Sequence, residues 1–310
     1  MNRANKNSKD KKHDYIHILP KDTTFLLEDI FTNKQDQQIE NLFLRLYRYA
    51  KIDADKHKVI QYFPINKYKN VEFNRSKIYK DLLSGLDKKI QDILRKQGIQ
   101  YEKYMVSQAY QSRWALGIGG GSPYGNLLLS TLHPLYGFPY IPASTLKGLM
   151  RHYWNCCNGD NPEELKRLFG SSEDDLSDDK EKNVEERLLN STVNESDNEK
   201  NNEAIAGQLI FFDSYPSANC KGKIVIDVFT PHYPNYYNDR GKTAPTDDQN
   251  PVPIEFLCIE NFTFNIYIGS REKLSDDERA KIKNTLNFVL SEQGIGAKTA
   301  LGYGRGTVNN

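Results

Sequence analysis

The chain closes on GIGAKTALGYGRG, residues 294–306, where five of thirteen positions are glycine, two are basic and one is tyrosine. Glycine loses more backbone freedom on folding than any other residue, so a tract this rich must serve a conformation or a contact that a side chain would forbid. It follows a segment with helical periodicity, and four residues come after it. That placement excludes two nucleotide-binding architectures. A phosphate loop needs G-x-x-x-x-G-K-[ST] between a strand and a helix. Lys298 and Thr299 match its last two positions, but Glu292 and Ala297 replace both glycines. No following helix could turn its N-terminus to a phosphate, and the dinucleotide-binding turn fails for the same reason. Two readings stay open. Bare backbone at Gly294, Gly296 and Gly304 approaches a sugar-phosphate strand, with Lys298, Tyr303 and Arg305 beside it. Alternatively, the tract is a terminal turn packed on a sheet edge.

Upstream, hydrophobic spacing divides the chain. Residues 36–51 place Ile39, Leu42, Phe43, Leu46 and Tyr49 on one helical stripe. From Asn74 to Lys96, Ile78, Leu82, Leu86, Ile90 and Leu94 recur every fourth position, and Gly98 follows as a stop. The segment YMVSQAYQSRWALG, 104–117, is rich in β-formers, with Tyr104, Val106, Tyr110, Trp114 and Leu116 read on one face. It runs into a second glycine loop, GIGGGSPYGN, containing Gly119, Gly120 and Gly121. Pro139 and Pro142 then hold the chain extended before a helix through Trp154, with Ser144 as its expected N-cap. Strand-like runs follow at 205–212, 223–229 and 254–268, the last expected to fold back as a hairpin near Glu260–Asn261. Ser275-x-x-Glu278 has the form of a capping box, opening a helix with Ile282, Leu286, Val289 and Leu290 on its apolar face. Strands and helices mix without regular β–α alternation, which points to an α+β layer of antiparallel sheet with helices on one face.

Charge is distributed less evenly than the net +1 suggests. Residues 171–203 hold twelve acidic and four basic side chains, a local −8 that leaves +9 on the remainder. A basic body suits polyanionic partners, and the acidic segment reads as a disordered insertion. Residues 1–13 read as a disordered basic tail, without the apolar stretch of a secretory signal. The four cysteines include no C-x-x-C and have no histidine at ligand spacing, so they read as reduced thiols with no metal or cofactor. A soluble, cytoplasmic protein that avoids membranes is expected.

The helix opening STLKGLMR adds to the basic picture. Lys147 and Arg151 lie four apart on one helical face, and Gly148 between them admits a close neighbour. Ser144 would leave the helix N-terminus available to an anion, and Arg113 would lie on the strand entering the first glycine loop. Two glycine loops, a basic helix start and interspersed aromatics point together to RNA contact.

These blocks have a familiar order. YGFPYIPASTLKGLMR, 136–151, and GIGAKTALGYGRG resemble the helix opening and glycine-rich loop of the RAMP superfamily of CRISPR-associated proteins. KIVIDVFTPHYPNYYNDRGKTAPTDDQNPVPIEFLCI, 223–259, is similar to the sixth-numbered RAMP subunit of the type III-B (Cmr) effector complex. The resemblance runs from about residue 104 to 306. It implies a ferredoxin-like, RNA-recognition-motif-like RAMP fold over 101–306, with the glycine loop near RNA and a mainly helical N-terminal addition over 14–100. It further implies guide RNA (crRNA) as partner, held near its 3′ end, with target RNA as a further candidate. The backbone RAMP subunit, the small helical subunit and the other terminal RAMP would be neighbours. The family subunit is not regarded as a nuclease. One departure stands out, since Ala143 and Thr145 replace the glycine and second serine of the usual P-G-S-S-L-K-G opening.

Catalysis is the competing expectation. A metal-independent endoribonuclease that processes guide RNA needs a general base near a 2′-hydroxyl, and His133, beside the first glycine loop, is the candidate. His152 and His232 read as structural. Asp213, Asp227 and Asp239 lack a paired acid at useful spacing for two-metal chemistry. A scaffold that binds only protein is the third alternative.

Overall fold

The computed structural model describes residues 15–17, 41–44, 51–53, 70–72, 77–117, 120–121, 128–171, 205–247, 249–251 and 253–309. The basic tail, most of the stripe at 36–51, Gly119 and nearly all of the acidic segment lie outside the described residues. In chain order the elements begin with β1 (Tyr15–His17), β2 (Lys51–Asp53), β3 (Asn70–Glu72), α1 (Lys77–Lys96) and β4 (Gln100–Gln108). Next come β5 (Gly120–Gly121), β6 (Leu128–Leu129), α2 (Ala143–Asn158), α3 (Pro162–Phe169) and β7 (Gly170–Ser171). They continue with β8 (Ile205–Ala206), β9 (Leu209–Phe211), β10 (Tyr215–Pro216), β11 (Lys223–Phe229) and α4 (Pro234–Asn238). The last are β12 (Ile254–Glu260), β13 (Thr263–Ser270), α5 (Asp276–Phe288) and β14 (Gly306–Asn309). The segment read as mainly helical thus holds three short strands as well as α1.

Two compact units share the chain, and neither is continuous in sequence. One takes residues 1–73, 115–140 and 223–260; the other takes 74–114, 141–222 and 261–310. This interleaving differs from the linear division into 14–100 and 101–306 that the resemblance implies.

The first unit is built on a five-stranded sheet in the order β3-β11-β12-β6-β5. Its backbone is the seven-residue antiparallel pairing of β11 with β12, Lys223 opposite Glu260 through Phe229 opposite Ile254. β12 also pairs in parallel with β6, Phe256 opposite Leu128, and Ser130 Oγ donates to Leu257 O at 2.7 Å. Phe256, Leu257, Cys258 and Ile259 are all buried.

The second unit has an antiparallel sheet in the order β10-β13-β4-β14, with β9 also on β13. Its connectivity is strand, helix, strands, strand, helix, strand: β4, α2, β9 with β10, β13, α5, β14. β4 and β13 form the spine, paired from Gln100–Ser270 to Ser107–Thr263. Alternation sends Tyr104, Val106, Phe264, Ile266 and Ile268 to one face, where all five are buried. On that side Arg279 of α5 approaches Glu102 at 3.9 Å. The opposite face carries Tyr101, Lys103, Asn265 and Tyr267, and α1 lies over it. Asp87 of α1 anchors the helix there. Its carboxylate accepts from Tyr267 Oη at 2.6 Å, Asn265 Nδ2 at 2.9 Å and Lys103 Nζ at 2.9 and 3.0 Å. Burial first, and then the hydrogen bond to Asp87 and its negative charge, push the Tyr267 phenol far above its ordinary pKa.

Three local expectations needed correction. Along α1 the buried residues are Tyr79, Leu83 and Leu94, whereas Ile78 is 75% exposed. A four-residue repeat advances about 40° per step beyond a helical turn, so Ile78 and Leu94 cannot share a face. The hairpin expected near Glu260–Asn261 does not form, because β12 and β13 belong to different sheets. Asn261, at φ 59°, carries the chain from one unit to the other, and Phe262 N–H then donates to Gln108 Oε1 at 2.7 Å. Finally, β4 ends at Gln108, leaving Tyr110 91% exposed instead of sharing a face with buried Trp114.

Candidate nucleic-acid interface

The site is assembled from α2 and the chain leaving α5. Leu146, Met150 and Trp154, at i, i+4 and i+8, are fully buried and turn α2 toward the core. Lys147 and Arg151 then fall half-buried on its flank, and Gly148 is exposed between them. A Cβ built on Gly148 would meet nothing within 4 Å. No contact among the described residues demands this glycine, although a glycine inside a helix destabilises it by about 0.5–1 kcal/mol relative to alanine.

Ser144 does not cap α2. The cap position is Pro142, with no side-chain cap, and Ser144 lies within the first turn, exposed. Asp213, seventy residues on in sequence, accepts the Ala143 N–H on Oδ1 at 2.8 Å. The expectation of an N-terminus open to an external anion is therefore corrected, since a carboxylate of the same chain already sits there.

α2 and α5 run antiparallel. Asn158 Nδ2 donates to Thr285 Oγ1 at 2.9 Å, and Tyr153 meets Phe288 edge-on with ring centroids 5.9 Å apart. Six residues back from Tyr153 lies Lys147 and six forward from Phe288 lies Gly294, each step about 9 Å along a helix. The π-helical turn Val289–Gln293 that continues α5 also packs against α2. Lys147 and the entrance of the glycine tract thus lie toward the same end of this helix pair, with Arg151 nearer its middle.

Within the tract the five glycines have two different duties. Gly294, at φ 80°, closes the π turn, and a Cβ there would lie 2.7 Å from Tyr303 O. At Gly304, φ 79°, a Cβ would lie 2.2 Å from Ile295 O. Two hydrogen bonds cross here, Ile295 N–H to Gly304 O at 3.0 Å and Gly304 N–H to Arg113 O at 2.8 Å. Gly306 passes under Trp114, whose Cζ2 would stand 2.7 Å from an added Cβ. Trp114 itself is buried, stacks on Phe264 at 5.6 Å and donates from Nε1 to Arg305 O at 2.7 Å. These three glycines serve internal packing, so the sheet-edge reading describes the base of the tract. Gly296 and Gly302 are exposed at its tip, and Gly302, at φ 85°, has open space around it. Between them the 3-10 turn Thr299–Leu301 is bracketed by Lys298 and Gly302, both left-handed.

The cations beside the tip have defined settings. Lys298 Nζ lies 5.2 Å from the centroid of the half-buried Tyr303 ring. Arg305 Nη1 donates to Ser291 O at 3.1 Å, tying the guanidinium to the helix exit, where a cation is favoured. Arg113 lies beyond the end of β4, and its carbonyl supports Gly304. Gly120 and Gly121 pair with Leu129 and Leu128 in the first unit. Ser144, Lys147, Gly148 and Arg151 on α2 and the 294–305 tract with Arg113 all belong to the second unit. The roles of Asp213 and Trp114 carry no signal in sequence spacing, because each depends on partners 70 or more residues away.

The catalytic candidate has a structural occupation. His133 Nδ1 accepts from the N–H groups of Leu135 and Tyr136, both at 3.3 Å. Its ring packs against Tyr136, Phe138 and Tyr140 at 4.6, 5.5 and 5.6 Å. Asp227 Oδ1 accepts the Val228 N–H at 2.8 Å. Asp239 binds the N–H groups of Lys242 and Thr243 at 3.0 and 2.8 Å, and the Thr243 hydroxyl holds its carboxyl below the ordinary range. No helix of the described residues is long and apolar enough to cross a membrane.

Comparison with known proteins adds an independent result. The family model described as the RAMP superfamily matches residues 115–307. The CRISPR system Cmr subunit Cmr6 of Pyrococcus furiosus is 30% identical over 225 residues, spanning 63% of this chain and 65% of the relative. The Cmr6 subunit of Saccharolobus solfataricus is 27% identical over 192 residues, spanning 60% of this chain and 51% of the relative. This chain thus matches between about half and just under two thirds of the length of these relatives. A chain in the cryo-EM structure of the type III-B Cmr-beta complex bound to cognate target RNA shares the fold with TM-score 0.52 and 20% identity. The match covers 74% of this chain and 66% of that one.

Proposed function

The chain belongs to the RAMP superfamily, and on that premise we propose that it is a non-catalytic, guide-RNA-binding subunit of a type III-B Cmr effector complex. It corresponds to the sixth-numbered RAMP subunit and holds the 3′ part of the guide strand. The similarity to two Cmr6 proteins supports the assignment to that complex. The second unit supports the finer fold reading. Its strand–helix–strand–strand–helix–strand connectivity, with β14 beside β4 and β9 with β10 beside β13, is that of a ferredoxin-like fold.

One observation carries the RNA reading: Lys147 and Gly148, with Arg151 one turn further along α2, lie on the flank of the helix pair whose one end leads into the glycine tract. Cations can neutralise phosphates there while bare backbone at Gly148 and Gly302 admits the strand. The sheet face used for base stacking in RNA-recognition motifs is covered here by α1. Neighbours in this reading are the backbone RAMP subunit, the small helical subunit and the other terminal RAMP, and the cytoplasm is its compartment.

Photocrosslinking within the assembled Cmr complex tests the proposal. Adducts between guide RNA and Lys147, Arg151 or Tyr303 are expected. Adducts confined to other subunits would favour a protein-only scaffold, a reading to which the internally packed Gly294, Gly304 and Gly306 lend some weight. An endoribonuclease reading has less support, because His133 is engaged by two backbone N–H groups. Metal-independent cutting of repeat RNA that disappears on His133→Ala would restore it.

A further inference from the structure

The tip of the glycine tract presents an apolar group to solvent on a stiff mount. Leu301 is 72% exposed although it ends a hydrogen-bonded turn. Leu301 N–H donates to Lys298 O at 2.9 Å, Gly302 N–H to Thr299 O at 3.0 Å and Tyr303 N–H to Lys298 O at 3.4 Å. Below, the turn is pinned by fully buried Ile295 and by the pairing of Gly304 with Ile295 and Arg113. Lys298 adopts φ 61°, a left-handed conformation unfavourable for a residue with a side chain. A lone exposed leucine is ordinary on a protein surface. This one differs in standing at the apex of a turn whose backbone is constrained on both sides, next to a cation stacked over an aromatic ring.

We infer that Leu301 is an apolar wedge, packing between neighbouring bases of the bound single strand and unstacking one step, while Lys298 contacts the phosphate alongside. The inference rests on the RNA-binding reading above and adds a base-contacting residue to it. The chemistry is matched: an unpaired strand offers base faces to apolar side chains and phosphates to cations. Gly302, with open space at its Cβ position, lets the strand lie close to the turn on its far side. The wedge is indifferent to base identity, because every base has a face of this kind.

The test uses the purified chain and an oligoadenylate carrying one 2-aminopurine, placed at each position in turn. Stacking quenches this probe and unstacking restores its emission. Because binding registers on a uniform strand are equivalent, wild type is expected to brighten the probe partially at each interior position, and Leu301→Ala to abolish that signal. Leu301→Ala should weaken binding about tenfold at every salt concentration without altering the salt slope, since the contact releases no counterions. Leu301→Met, which keeps the apolar bulk, should retain most of the signal. Wild-type affinity and emission in Leu301→Ala overturn the wedge. If Lys147→Ala with Arg151→Ala still flattens the salt slope in that case, the RNA-binding reading stands and only the wedge falls. Absence of salt-dependent RNA binding by wild type removes both.

Discussion

Asp213 Oδ1 accepts the backbone N–H of Ala143 at 2.8 Å, placing a carboxylate at the start of α2 from a strand connection distant in sequence. It supplies what Pro142 cannot, an acceptor for the first turn, and its charge suits the positive end of the helix. The residues that follow in that helix, Lys147 and Arg151, take their orientation from this fixed start.

Asp213→Ala should therefore lower stability by about 1 kcal/mol, the usual effect of losing an N-terminal cap. Asp213→Asn, which keeps the acceptor, should retain most of it. Urea unfolding curves measure both, and an unmoved midpoint for Asp213→Ala would show that solvent replaces the carboxylate without penalty.

The glycines of the tract should separate under substitution. Gly304→Ala places a methyl against Ile295 O in addition to left-handed strain, and a loss of about 3 kcal/mol or more is expected. Gly302→Ala meets only the backbone strain, on the order of 1–2 kcal/mol. Thermal melts that rank the two variants equally would contradict the packed-base, open-tip description.

Gly148→Ala should behave in the opposite sense for folding and for binding. Relief of a helix-interior glycine should stabilise the chain by about 0.5–1 kcal/mol. The added methyl should at the same time weaken RNA binding, measured by filter retention. A variant that is more stable and binds RNA as well as wild type would mean that no strand passes close to Gly148.

Lys147→Ala and Arg151→Ala together should flatten the dependence of RNA affinity on salt. Each phosphate contact to a single strand contributes about 0.7 to the logarithmic slope, so the pair should reduce it by about 1.4. An unaltered slope would exclude both as phosphate ligands.

Acid should weaken the attachment of α5. Partial burial acts to raise the Glu278 pKa, but the Ser275 N–H, the Arg167 guanidinium and the Ser275 hydroxyl outweigh it and hold the group below its ordinary value of 4.5. A depressed folded-state pKa contributes stability that is present above about pH 4.5 and is lost as pH falls through the folded value. Glu278→Gln should lower stability near neutral pH and make it less sensitive to acid below that point. Parallel acid-titration melts of the two proteins check this, and parallel slopes would refute it.

Much of this architecture was legible in the residues themselves. The capping box at Ser275 and Glu278 forms as its spacing indicates, with Ser275 Oγ accepting the Glu278 N–H at 3.2 Å. The stop at Gly98 holds, and its N–H donates to Arg95 O at 3.1 Å. Such features depend on neighbours within one helical turn. The four-residue stripe on α1 failed because helical phase accumulates over the length of the element. Long-range pairings were hidden for a different reason, as the β12–β13 boundary shows. Two apolar runs separated by a short polar break look alike whether they form a hairpin or part into separate sheets.

Local chemistry in the chain determined the elements, the α+β content and the concentration of glycine and cations near its end. Which glycines pack inward, which carboxylate meets the first turn of α2 and which sheet receives β13 were decided only in three dimensions. Helical periodicity and turn preferences act between residues a few positions apart, and so are written in the order of the chain. A Cβ clash at Gly304, a stack on Trp114 or an acceptor at Asp213 depends on segments that meet only after the backbone has closed around its core.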